Sequence, residues 1–113
     1  VLELTVDAMR RNDWDAAASV EPLEQVIDHL KTTLRNRHIT RQKMGDCSME
    51  AGFIWVDLLT DMERISDHCS NIAVAIIEVE HNSFDTHKYL NGVKYGNSVF
   101  NEIYETYQEK YAL

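Results

Sequence analysis

Apolar residues recur along most of this chain at three- and four-residue spacing, and the breaks between the runs divide it into helices. In the first run Leu2, Val6 and Met9 share one helical face that ends near Arg11, and Asn12-Asp13 supplies a break and an N-cap. Residues 14–44 then read as a second helix with Ala17, Val20, Leu23, Ile27, Leu30 and Leu34 turned inward. Pro22 interrupts it. A proline there removes one hydrogen bond and crowds the carbonyl four residues earlier, which predicts a kink near Ala18 or a fresh helix start at Glu21. Gly45 ends the helix, and Asp46 or Ser48 can cap the next.

The third helix, over 47–80, is the most regular. Ile54, Leu58, Met62, Ile65, Cys69, Ile72 and Ile76 form its apolar stripe, and Phe53, Trp55 and Leu59 are expected to add to the core. Beyond it the sequence predicts a short helix over 84–91, a turn over 92–97 and a last helix over 98–110. Phe100, Ile103, Tyr104, Tyr107 and Tyr111 mark one face of that last element. The pattern therefore predicts an all-α single domain over 1–113, built of antiparallel helices with an additional C-terminal helix.

Composition narrows the functional classes. With 113 residues, 44% of them hydrophobic, and only four Gly and one Pro, the chain suits one compact helical domain. No apolar run approaches the roughly 20 residues needed to span a bilayer, and no signal-peptide succession is present. The chain begins at Val1, already inside a helical pattern, as expected of a piece of a longer protein. A net charge of −8 opposes a nucleic-acid platform and favours cations or basic partners. Cys47 and Cys69 are few and far apart. Cys69 sits on the apolar stripe, which suits a core thiol in a reducing cytoplasm. Lys31, Arg35, Arg37, Arg41 and Lys43 gather at the C-terminal end of the second helix, where they complement the macrodipole. Alternatively they form a patch for an acidic partner, phosphate or an anionic membrane surface.

Two acid pairs carry the candidate chemistry. Glu24 and Asp28, and again Glu63 and Asp67, are separated by four residues, so each pair lies one turn apart on one helix face and can aim two carboxylates at one cation. The third-helix pair falls well round from the apolar stripe and should be accessible. By spacing alone, a solvated acidic face is the simpler reading. Glu63-Arg64-Ile65-Ser66-Asp67-His68 followed by Asn71-Ile72-Ala73 resembles the signature helix of the PhoU family, however, and Glu24-x-x-x-Asp28 resembles its companion motif. Val20-Glu21-Pro22-Leu23-Glu24, Asp67 to Ala73 and the Tyr-rich end at Glu109 to Leu113 look most like the PhoU-like C-terminal domain of bacterial Na/Pi-cotransporter-related proteins.

That resemblance implies a three-helix bundle and a cytoplasmic regulatory role in phosphate uptake, at the inner face of the cell membrane. The partner it implies is the membrane domain of a transporter, in the same or an associated chain. It also implies binding of iron, zinc, manganese or magnesium by Glu24, Asp28, Glu63 and Asp67, with Asn71 in support. The alternative is a metal-free helical interaction module. His68 turns about 100° from Asp67 and reads as a surface residue, while Asp57 and Asp61 read as solvated acids. Enzyme chemistry finds no anchor: there is no Gly-rich phosphate loop or nucleophile elbow, and no Glu-x-x-His of the carboxylate-bundle oxidases. A first helix of about 11 residues also leaves much of two helices of about 30 residues bare, which predicts a homodimer.

Overall fold

The computed structural model describes residues 1–81 and 98–113. Its described residues form four helices: α1 (Leu2–Arg11), α2 (Trp14–Lys43), α3 (Met49–His81) and α4 (Ser98–Lys110). The short helix expected over 84–91 and the turn over 92–97 lie outside the described residues.

Local chemistry sets most of the boundaries. Asn12 adopts the left-handed conformation (φ 48°) that closes α1, and the Asp13 N–H donates to the Ala8 carbonyl at 3.0 Å. The Asp13 carboxylate then accepts from the Ala16 N–H at 3.1 Å, the N-cap of α2. Pro22 is fully buried inside α2, which runs unbroken from Trp14 to Lys43, so no new helix starts at Glu21. At its far end Gly45 takes φ 78°, the N–H of Gly45 donates to Gln42 O and that of Asp46 to Arg41 O. This is the paired bond pattern of a Schellman end. Ser48 Oγ accepts from the Ala51 N–H at 3.1 Å, so α3 begins at Met49, two residues later than the apolar pattern suggests.

α2 touches each of the other three described helices. It lies antiparallel to α3: Glu21 meets Ser70, Lys31 meets Glu63, and His38 and Gln42 meet Gly52, in opposite chain order. α1 packs where α2 begins and α3 ends, burying Ala8, Ala17, Val20, Cys69, Ala73 and Ile77 in one cluster. α4 packs on α2 and on no other described helix, anchored by buried Phe100. The bundle is thus three antiparallel helices plus one, in a rod of 53 × 25 × 22 Å.

The packed face of α3 differs from the expected one. Leu59, Ser66, Cys69, Ala73 and Ile77 are buried, whereas Ile54 is 70% and Leu58 43% exposed, and Met62, Ile65, Ile72 and Phe53 are exposed too. Of the core residues expected on α3 only Leu59 and Cys69 are buried, while Ile76 packs partly buried against the cluster. The seam is built from small residues because α2 and α3 approach closely. At Gly52 an added Cβ would lie 2.9 Å from His38 Nε2 and closer still to Gln42 Nε2. The larger side chains of α3 lie on the adjacent flank, about 100° round the helix, and α1 is too short to cover them. An apolar groove of about 320 Å³ therefore continues from Val1 between Ile27, Leu30 and Leu34 of α2 and Leu59, Met62 and Ile65 of α3.

Candidate functional site

The acidic residues of α2 and α3 meet on one flank of the bundle. Glu21, Glu24, Gln25 and Asp28 fall at three- and four-residue spacing along one face of α2, and the antiparallel register sets Asp67, Ser70 and Asn71 of α3 opposite them. Tyr104 of α4 closes a third side. Together they line an open cleft of about 530 Å³. At its edge the Ser70 hydroxyl donates to the Glu21 carboxylate, which ties α3 to α2.

Three of the four expected acids come together: Glu24, Asp28 and Asp67 each place a carboxylate oxygen within 4.8 Å of the others. Glu24 is half-buried, and Asp28 and Asp67 are exposed. Glu63 does not join the group. It lies nearer the packed seam than its spacing from the apolar stripe suggests, half-buried in an ion pair with Lys31. Its charge still reaches the cleft. Asp28 has its pKa raised above the ordinary carboxylate value, first by partial burial, then by the charges of Glu63 and Asp67. Lys31 and a hydrogen bond with Glu24 act in the opposite direction.

The other sequence candidates stay apart. His68, Asp57 and Asp61 are exposed, and Cys69 is a buried free thiol within the core cluster. Sequence reading omitted Glu21, Gln25, Ser70 and Tyr104. Glu21 and Ser70 stand three residues from Glu24 and Asp67, so extending each helix face by one turn finds them. Tyr104 carries no such signal, because its place depends on how α4 seats on α2.

Among the described residues no helix is long and apolar enough to cross a membrane. The PhoU domain family matches residues 1–76. The phosphate-specific transport system accessory protein PhoU homolog 1 of Thermotoga maritima is 26% identical over 99 residues, which cover 85% of this chain and 42% of that protein. The chain thus spans less than half the length of that relative. No solved structure matches the chain at a significant level.

Proposed function

The chain belongs to the PhoU domain family, and from that membership we propose that it is a regulatory domain of phosphate uptake. It works at the cytoplasmic face of the cell membrane, within or beside a transporter of the sodium/phosphate-cotransporter type. The Thermotoga relative's name, a phosphate-specific transport accessory protein, supports the coarser part of this reading. The narrower part rests on the resemblance carried by Val20 to Glu24, Asp67 to Ala73 and Glu109 to Leu113.

In this proposal the acidic cleft is the sensing element, and Glu24, Asp28 and Asp67 hold a hard cation such as iron, manganese or magnesium, or zinc. The observation that carries it is the convergence of three carboxylates from two helices within 4.8 Å. The donor set fits. Metal–oxygen bonds of about 2.0–2.6 Å set neighbouring oxygens on one ion roughly 3–4.5 Å apart, so small side-chain rotations bring three oxygens that lie within 4.8 Å of one another onto one ion, and carboxylates are the ligands such ions prefer. Glu63 joins only when Lys31 releases it. A bound cation supplies charge neutralisation, which lets α2 and α3 close on one another and turns occupancy into bundle stability. The protein's own residues set the rest: Ser70 and Glu21 hold the register, and Asp28, whose pKa is raised by partial burial and by the charges of Glu63 and Asp67, gives up its place in the site to a proton as pH falls.

The competing reading, a metal-free helical interaction module, draws support from the exposed apolar flank of α3 at Phe53, Ile54 and Met62. Metal analysis after purification without chelator or a nickel column separates the two. Stoichiometric metal that disappears in Asp28→Asn/Asp67→Asn, with helix content unchanged, supports the sensing cleft. Absence of metal, with no thermal shift on adding iron, zinc, manganese or magnesium, leaves the interaction module.

A further inference from the structure

The charge of this chain is unevenly distributed, and the uneven end is also apolar. Between Leu30 and Gly45 there is no acid, and residues 35–50 hold four Arg or Lys against Asp46 and Glu50, a net +2. The whole chain is −8, which leaves −10 for the remainder. Those residues form the hairpin where α2 ends and α3 begins, at one pole of the rod. The core cluster with α1 lies toward the opposite pole, and the end of α4 reaches only to the level of Arg37, where Leu113 and Arg37 line a common hollow. Arg41 and Lys43, in the last turn of α2, are exposed.

The same pole carries apolar side chains that no described helix covers: Met44 and Met49 are each 73% exposed and Phe53 68%. Their display follows from the turn. The Schellman end at Gly45 folds the chain back at once, and the residues that often close such an end with an apolar contact are here Arg41 and Asp46. Met44 and Met49 are therefore left at the apex with nothing among the described residues to pack on. Cations in several directions round a convex tip do not converge as an anion pocket requires, so free phosphate is not what they fit. Unbranched Met and an aromatic ring inside a ring of cations fit a soft, negatively charged, partly apolar surface.

We propose that the α2–α3 hairpin tip is a docking surface for an anionic phospholipid bilayer, with Arg41 and Lys43 on headgroup phosphates and Met44, Met49 and Phe53 entering the interface. The long axis of the rod then stands away from the membrane, and its strongly acidic remainder is kept from the anionic surface. This proposal goes beyond the sensing cleft and does not require it, since the tip residues are separate from Glu24, Asp28 and Asp67.

The test is flotation of the 113-residue chain with vesicles of phosphatidylcholine alone and of equimolar phosphatidylcholine and phosphatidylglycerol. The chain should float with the anionic vesicles only, and each cation removed in Arg41→Gln and Lys43→Gln should weaken partitioning about fivefold. Binding should also fall in Met44→Ser/Met49→Ser/Phe53→Ser, whose positions are exposed and whose helix content should be unchanged. It should vanish near 1 M salt, where the screening length is about 3 Å. No flotation with anionic vesicles overturns the proposal, as does flotation that the cation variants leave unaltered. Binding to polyglutamate as tight as to vesicles, and unaffected by the three Ser substitutions, would assign the tip to an acidic protein and overturn it too. Because the assay contains lipid and no transporter, its failure leaves the regulatory reading of the cleft standing.

Discussion

Asp28→Asn should have opposite effects on the metal-free and the metal-loaded protein. Two carboxylates within 4.8 Å repel by about 1 kcal/mol in water and about 3.5 kcal/mol at an effective dielectric near 20. Asp28 and Asp67 are exposed, so the lower figure applies. Removing the Asp28 charge relieves repulsion from Asp67 and Glu63 and forfeits attraction to Lys31. The net gain is about 0.5–1 kcal/mol, a rise of roughly 2–4 °C in the melting temperature of a domain this size. The sign with pH follows from the raised pKa of Asp28. In the wild type the folded state holds that proton more tightly than the unfolded chain does. The stability this confers is present below the unfolded value of 3.8 and is lost as pH rises through the folded value. The advantage of Asn should therefore be complete at neutral pH and should vanish below pH 3.8. With a cation at 100 times its Kd, the wild type gains about 2.7 kcal/mol. Asp28→Asn, with one ligand lost, should gain far less, so the melting curves should change order on adding metal. Paired thermal melts in chelator and in manganese or iron test this. A variant less stable than wild type in chelator at neutral pH, or one shifted equally by metal, refutes the reasoning.

Leu59→Asp should unfold the bundle, because an uncompensated charge in the core costs several kcal/mol, comparable to the stability of a small domain; Leu58→Asp, on the exposed flank, should fold with nearly native helicity by circular dichroism. Gly52→Ala should lower stability by about 0–2 kcal/mol in chemical denaturation, since crowding of buried His38 at 2.9 Å costs about 1–3 kcal/mol while the better helix propensity of Ala returns about 1 kcal/mol. A gain of the full propensity term would show that α2 and α3 are not so closely seated. In sedimentation at micromolar concentration the chain should form a two-fold dimer that hides the groove continuing from Val1, and Met62→Asp, an exposed position lining that groove, should dissociate it.

The helices were legible because their limits depend on local chemistry. Asp13, Gly45 and Ser48 act through bonds to backbone groups a few residues away, and such bonds are written in the order of residues. Pro22 was harder to read, because of its two expected outcomes, a kink near Ala18 or a new start at Glu21, the second ignores what surrounds the ring: it is buried inside a helix that three described neighbours support. The packed face of α3 was misread for a related reason. Hydrophobic periodicity weighs a residue by its size, so Ile54, Leu58, Met62 and Ile65 outranked Ser66 and Ala73. Close approach between helices weighs it the other way. At a seam with Gly52 against His38 a small side chain is what fits, and the bulky ones turn outward.

The same rotation explains what sequence reading found and missed at the site. Spacing of four residues places Glu24 over Asp28 whatever the helix packs against, so the α2 half of the cleft survives an error about the core. The α3 half does not. Once the seam runs through Leu59, Ser66, Ala73 and Ile77, Glu63 turns toward α2, where Lys31 is the first cation it meets, while Asp67 stays at the open edge. One Glu-x-x-x-Asp pair is thereby divided between two tasks: Asp67 completes the carboxylate group, and Glu63 presses its charge on Asp28 from behind while remaining neutralised by Lys31. Lys31 accordingly acts as a counterion to both Glu63 and Asp28, which offsets part of the repulsion among the acids of this flank.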